Sequence, residues 1–448
     1  FTTLYGVGRD AKAFLTLPET YTSDTPGDLS PLLDTIAKEV PNSHINPEKP
    51  FQMLISTIDH DPYVGRICIG KVTQGTLVKG GRIALIDEGE ILGTFSATKL
   101  FVSKGLGRVE TDQINSGDIG ALAGIPELTI GQTVTHPDNP VSLPKIKVEE
   151  PTIKIKIGPN TSPFAGREGE YVTSRQIRAR LYKELETDLG LRVEDDQETT
   201  AFIVSGRGEL HLAVLIETMR REGYEMEVSK PQVIYKQVDG VKCEPYEELT
   251  IDVQKEYLGE VTDELGKRKG KMINMAPVGG VDIRLIYKIS SRNLIGIRSN
   301  LLTNTRGTAI MHTYLLGYEP LGTDMEQIRH GALISTQGGE TLSYGLANAQ
   351  IRGSMFYGPG MNVYEGMVVG ISTQDRDIEV NVCKAKQQTN NRSSGEGVKL
   401  ILEPPTTLSL EQYLDIIGDD ELLEVTPKNL RLRKRYLTIA DRRVNRRN

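Results

Sequence analysis

Three polar, basic stretches carry the residues best suited to chemistry. The first is KAKQQTNNRSSG (384–395), with three cations, no anion and a single alanine as its only apolar residue. Its Lys384, Lys386 and Arg392 are of a type that neutralises phosphates, and its Asn390 and Asn391 of a type that bonds to sugars and base edges. The second runs from Lys428 to Asn448 and holds nine Lys/Arg against one acid, Asp441. Lys428, Arg431, Arg433, Lys434 and Arg435 lead it. The third is GREGEYVTSRQIRAR, where Arg167, Arg175, Arg178 and Arg180 surround a helix start. Each has a bland alternative: a linker, a solvated tail, a solvated helix face. Together they point to structured RNA rather than to a small substrate.

Charge supports a directed contact. The chain is −7 overall, yet the segment 428–448 is +8, so residues 1–427 carry −15. A localised basic segment on an acidic body suits a polyanion. The alternative of a solvated tail is opposed by Leu430, Leu432, Tyr436 and Leu437, which give the segment apolar anchors.

Several chemistries have no carrier. There is no GxxxxGK[ST] phosphate cradle and no GxSxG elbow. SGRGEL (205–210) reads as a strand-to-helix turn, with Glu209 placed to favour the helix start. Asp195/Asp196 and Asp419/Asp420 are adjacent pairs that read as surface charge. Cys68, Cys243 and Cys383 are far apart and form no CxxC, and the six histidines show no HExxH spacing. No metal site is expected, and a reducing compartment fits. No run is long enough to span a membrane, and FTTLYGVGRD lacks the order of a secretory signal. The chain reads as starting within a longer protein.

The elements that must position these stretches follow from pattern. SPLLDTIAKEV (30–40) reads as a helix with Ser30 as N-cap, Pro31 in its first turn and a stripe of Leu29, Leu32, Leu33, Ile36 and Val40. Little chain precedes it to cover that stripe. Residues 50–140 read as closely spaced hairpins, with Gly65, Gly70, Gly75 and Gly80 as turn signals, and suggest a barrel.

From 146 the style changes. PTIKIKI alternates as a half-buried strand, TSRQIRARLYKEL opens on a Thr173/Gln176 capping box, and ELHLAVLIETMRREG is a second helix stopped by Gly223. The order βαββαβ predicts a ferredoxin-like sandwich. Residues 246–316 repeat it: LTIDV, YLGEVTDELGKRKG, VDIRLIYKI, SRNLIGIRSNLLT and TAIMHTYLLG. Glycine-punctuated strands return from 326. LSLEQYLDIIGDDELLEV supplies a helix with a Ser409/Gln412 box. KAKQQTNNRSSG lies between two strand-like runs, IEVNV and VKLIL, so a hairpin base is expected to aim its tip.

SPFAGREGEYVTSRQIRARLYKE and VSGRGELHLAVLIETMRREGYE closely resemble the BipA/TypA family of translational GTPases. EPYEELTIDV, LGKRKGKMINM, ISSRNLIGIRS, NVYEGMVVGI and DDELLEVTPKNLRLRKRYL fit it too. The resemblance covers nearly all of the chain from about residue 29. It implies a multidomain α+β fold like elongation factor G: a GTPase-domain remnant (1–45), a translation-factor β-barrel (46–145), two ferredoxin-like domains (146–240 and 241–322) and a family-specific β-rich C-terminal domain (323–448).

The same resemblance implies a factor of the ribosomal A site that supports large-subunit assembly and stress-adaptive translation. The loop at Lys384, Lys386, Asn390, Asn391 and Arg392 would reach the acceptor end of a tRNA. Lys428, Arg431, Arg433, Lys434 and Arg435 would meet rRNA, with Arg167, Arg175 and Arg178 as further candidates. The family's phosphate loop, switches and NKxD have no counterpart in these residues. GTP and Mg2+ are therefore expected in a full-length parent, and neither nucleotide binding nor hydrolysis in this chain. The expected setting is ribosome-associated, in the cytoplasm of a bacterium or the plastid stroma of a photosynthetic eukaryote, as a monomer away from membranes. A LepA-like elongation factor, an enzyme acting on RNA or nucleotides, and a non-enzymatic RNA or protein scaffold are the alternatives. SGRGELHL and the C-terminal motifs fit LepA less well.

Overall fold

The computed structural model describes residues 2–40, 46–61, 63–145, 150–279, 282–322, 329–385 and 401–445. The chain forms two compact units, Phe1–Ile146 and Lys147–Asn448. The fold is multidomain, mixed α/β and rich in strands. Among the described residues no helix is long and apolar enough to cross a membrane.

In the first unit the Ser30–Glu39 helix buries none of its residues. Ser30 is its first residue rather than its cap. Leu29 takes the cap position without a side-chain bond, and Asp28 Oδ1 accepts the Ser30 N–H at 2.8 Å. The strands that follow share one apolar core around Met53, Ile55, Cys68, Val72, Ile83, Leu85, Leu100, Leu122 and Val134. Their main sheet has nine strands and centres on Gly65–Gln74, which pairs with Gln52–Leu54, Thr57–Asp61 and Ile119–Ala123. Gly65, Gly75 and Gly80 take positive φ (83°, 74° and 80°), as their turn reading requires. Gly70 does not. It lies mid-strand, where a Cβ would come within 2.0 Å of the Leu54 carbonyl oxygen.

In the second unit Ile153, Ile155 and Ile157 face inward while Lys154 and Lys156 do not, which makes Ile153–Pro159 a strand with one buried face. Thr173 Oγ1 accepts the Gln176 N–H at 3.4 Å and Gln176 Oε1 accepts the Thr173 N–H at 3.0 Å, closing the expected capping box. The Ser174–Glu184 helix then buries Ile177 and Leu181. The Glu209–Arg221 helix buries Leu212, Ala213, Leu215, Ile216 and Met219, each of the large ones worth about 1.5–3 kcal/mol. Gly223 ends it at φ 98°, with the Tyr224 N–H donating to the Met219 carbonyl at 3.1 Å. Strand order in this module is Arg192–Asp195, Phe202–Gly206, Ile153–Pro159, Met226–Ser229.

The next module repeats that order with Lys271–Val278, Asp282–Ser290, Val241–Gln254 and Ile310–Pro320. Its core gathers Leu249, Ile251, Val253, Val261, Leu265, Leu285, Tyr287, Ile289, Ile297 and Leu301. SRNLIGIRSNLLT is not one helix. It breaks into Ser291–Leu294 and Ile297–Asn304 at Gly296, whose φ is 73°.

The C-terminal region builds a sheet of Gly353–Met355, Val368–Ser372, Ala332–Ser335 and Ile378–Val380. The helix expected across LSLEQYLDIIGDDELLEV covers only Leu410–Ile416, again with a closed Ser409/Gln412 box. Glu421–Val425 is instead a strand. It pairs with Met226–Ser229 on one side and Leu430–Lys434 on the other, so the basic segment extends the first module's sheet. Leu423, Val425 and Leu432 join that module's core for this reason. The expected hairpin base around 384–395 is not seen among the described residues. Ile378–Val380 pairs in parallel with Ala332–Ser335, and Ile401 and Leu402 are outside any strand.

Candidate nucleic-acid interface

The strand Leu430–Lys434 turns most of the leading cations inward. Arg431, Arg433 and Lys434 are only 8%, 2% and 2% exposed. Arg431 pairs with Glu168 and, at 3.5 Å, with Glu424, and its guanidinium lies 5.3 Å from the Phe164 ring centre. Arg433 Nη2 donates to Thr161 Oγ1 and Glu227 Oε2, both at 2.6 Å. Lys434 Nζ sits 2.9 Å from Asp377, 2.9 Å from Asp420 and 3.0 Å from Glu421. Arg329 grips Glu421 with two bonds of 2.8 Å. Burial works to raise the Glu421 carboxyl, but Arg329 and Lys434 overcome it and hold the group below its usual range. Burial raises Glu424 further than Arg431 lowers it.

These three cations were expected to face RNA, and in this fold their charged groups face carboxylates instead. A buried guanidinium stripped of its partner costs several kcal/mol, so the pairing is part of the fold. Arg180 was part of the same basic pattern and is likewise taken up, by Glu184 at 2.6 Å and Glu222 at 2.5 Å.

The acids that hold this arrangement were not singled out from sequence. Glu225 is fully buried and accepts from Asn160 Nδ2 at 2.9 Å and from the N–H groups of Gly166 at 2.8 Å, Glu168 at 3.3 Å and Gly169 at 2.9 Å. It thereby shapes the SPFAGREGE loop. Glu168, presented by that loop, takes bonds from Thr426 at 2.5 Å and Asn429 at 2.9 Å as well as Arg431. Only the density of acids in GREGE hinted at this.

Other candidates remain exposed. Lys384 is exposed just beyond the Ile378–Val380 strand, and Lys428 is exposed in the turn between Glu421–Val425 and Leu430–Lys434. Arg435 is exposed at the end of the latter strand. Arg167 is exposed with its guanidinium 4.6 Å from the Phe164 ring centre, and Arg175 is exposed on the first turn of its helix. Arg178 makes an exposed pair with Asp195 at 3.2 Å and stacks 4.6 Å from the Tyr182 ring centre. Lys386, Asn390, Asn391 and Arg392 lie outside the described residues.

A second buried polar cluster lies where both modules and the C-terminal region meet. Glu209 opens its helix, but not as the charge favouring the helix start that the sequence suggested. Its Oε2 accepts the Gly296 N–H at 3.2 Å, and its Oε1 is buried next to Asp415, to which the protonated carboxyl can donate. Burial, then the adjacent Asp415, push its carboxyl up to about 9. Glu209 therefore carries a proton at neutral pH and adds no charge to the helix start. Arg268, 1% exposed, ties the neighbouring turn by donating to the carbonyls of Asn293 at 2.9 Å and Ile295 at 2.7 Å.

Three family models match the second unit: Elongation Factor G domain III over residues 171–230, Elongation factor G C-terminus over 241–329 and the TypA/BipA C-terminal domain over 330–439. Relatives named "Large ribosomal subunit assembly factor BipA" match along nearly the whole chain. The one from Synechocystis sp. is 44% identical over 436 residues, 97% of this chain and 72% of that protein. Those from Bacillus subtilis and Escherichia coli K12 are 43% and 44% identical, over 93% and 94% of this chain and 68% and 69% of theirs. A solved structure from Thermus thermophilus aligns at a TM-score of 0.45 with 17% identity, over 65% of this chain and 59% of that one, a likeness too slight to inform the fold.

Proposed function

The chain belongs to the TypA/BipA family, and from that premise we propose that it is the ribosome-docking portion of a translational GTPase that assists assembly of the large ribosomal subunit. The observation that carries this reading is the continuous match, at 44% identity over 97% of the chain, to proteins named for that assembly role. The repeated βαββαβ order supports two ferredoxin-like domains, and the glycine-turned strands of residues 46–145 support a translation-factor barrel.

In this reading the ribosomal A-site region is the target. Lys384, Lys428 and Arg435 offer exposed charge to rRNA phosphates, with Arg167, Arg175 and Arg178 on the SPFAGREGE side. Lys386, Asn390, Asn391 and Arg392 contact the acceptor end of a tRNA. Arg431, Arg433 and Lys434 act at one remove, by fixing the hairpin that carries Lys428 and Arg435. GTP and Mg2+ belong to the GTPase part of a longer parent, and the factor works on ribosomes as a monomer, in cytoplasm or plastid stroma according to its source.

Co-sedimentation of this chain with ribosomes carrying tRNA across a salt series tests the reading. Binding should weaken with a log–log slope of about −0.7 to −0.9 for each phosphate neutralised. Arg392→Ala should weaken it more than Asp375→Ala. Binding that ignores salt, or equal effects of the two substitutions, would defeat it.

A further inference from the structure

Most arginines of the second unit whose bonds are described face a carboxylate. A cavity of about 550 Å³ in the C-terminal region is different. Arg352, Arg376, Arg442 and Arg443 line it, with only Asp377 and Glu379 as acids. Both acids are already engaged: Asp377 by Lys434 at 2.9 Å and by the Ala332 N–H at 2.9 Å, and Glu379 by Arg442 at 3.2 Å.

The remaining three guanidiniums form no ion pair among the described residues. Arg376 Nε donates to Gln374 Oε1 at 2.9 Å, leaving its terminal nitrogens without a partner among the described residues. Arg352 Nη1 reaches the Glu379 carbonyl at a marginal 3.5 Å. Arg443 is exposed and forms no ion pair among the described residues. Arg442 is a strut: 7% exposed, it also donates to the Tyr436 and Leu437 carbonyls, which fixes the Ile439–Asn445 helix beside the cavity. Ile334, Ile378 and Ile439 supply an apolar wall.

Planar arginine forks match phosphate oxygens with paired bonds, and a cavity of this size suits one small ligand rather than a run of backbone. We propose that this cavity binds a nucleotide phosphate: Arg352, Arg376 and Arg443 take the phosphoryl oxygens, and Ile378 and Ile439 take the flat face of the base or sugar. The nucleotide is either free or the 5′-phosphorylated end of an RNA strand. The site is independent of ribosome docking, and its test needs no ribosome.

Titration calorimetry of the intact chain with inorganic pyrophosphate should show one saturable, salt-sensitive site. The double substitution R376Q/R443Q should weaken it at least about tenfold, the scale of a single charge-assisted hydrogen bond, while circular dichroism and melting stay unchanged. Displacement of pyrophosphate by adenosine 5′-monophosphate identifies a free nucleotide as the source. Displacement by a 5′-phosphorylated oligoribonucleotide, and not by its 5′-hydroxyl form, identifies an RNA end. No saturable binding, undiminished binding by R376Q/R443Q, or pyrophosphate that neither competitor displaces would each overturn the assignment.

Discussion

Arg433 reaches back 206 positions in the chain to set its Nη2 2.6 Å from Glu227 Oε2. The two residues belong to strands separated by the Glu421–Val425 strand, so this pair spans the seam between the first module's own sheet and the hairpin added to it. Arg433→Ala would leave Glu227 without its cation in a largely buried site. It should cost about 3–5 kcal/mol. Arg178→Ala, which removes an exposed pair, should cost at most about 1 kcal/mol. Urea unfolding followed by far-ultraviolet circular dichroism compares them, and equal midpoints would show that the seam carries no such energy.

The Glu209 carboxyl gives stability a pH dependence. Folding raises it to about 9, by burial and then by Asp415, so the folded chain keeps a proton that the unfolded chain releases above about 4.5. Its contribution is intact in acid and fades as pH climbs through that window, by at most about 1.4 kcal/mol per pH unit. Glu209→Gln holds the neutral form at every pH. It should melt close to the parent at pH 5 and several degrees above it at pH 9. A Tm difference that stays constant between the two would refute the assignment.

What sequence could resolve was local. Thr173/Gln176 and Ser409/Gln412 are capping boxes because both partners lie within four residues, and Ile153, Ile155 and Ile157 show their buried face by alternation alone. What it could not resolve was long-range. RLRKR looks free to meet RNA until Glu168, Glu227 and Asp377, up to 263 positions away, are brought against it. ELLEV has a helical composition, yet pairing with Met226–Ser229 makes it a strand. SRNLIGIRSNLLT looks continuous, yet it breaks at Gly296, where the backbone turns left-handed and the distant Glu209 carboxyl accepts its N–H. Arg352 and Arg376 are isolated cations in sequence and share a cavity only through the sheet. Composition singled out the polar loop and the resemblance to the family gave it a target, but its Lys386 to Arg392 lie outside the described residues.

The Ser30–Glu39 helix has an apolar stripe without cover in its own unit. Leu33, Ile36 and Val40 are 59%, 47% and 58% exposed. With so little packing behind them, its amides should open locally at small free energy. Hydrogen exchange should therefore be fast across 30–40 and slow across the Glu209–Arg221 helix, which buries five residues. Strong protection of 30–40 in this chain alone would mean that the stripe is covered.

Exposed and buried cations of the same segment should separate by function. Lys428 and Arg435 bracket the Leu430–Lys434 strand and are exposed, whereas Arg433 and Lys434 are paired within it. If the segment docks on rRNA, K428A/R435A should leave melting within about 0.5 kcal/mol of the parent. It should also reduce the log–log salt slope of ribosome co-sedimentation by about 0.7–0.9 for each phosphate no longer neutralised. Arg433→Ala should do the reverse at moderate temperature: a large loss of stability, with the slope unchanged among molecules that remain folded. A K428A/R435A chain with the parent's slope would move the RNA contact away from this hairpin. The polar loop and the SPFAGREGE side would then be the surfaces left to test, because the remaining cations of the strand are already occupied by carboxylates.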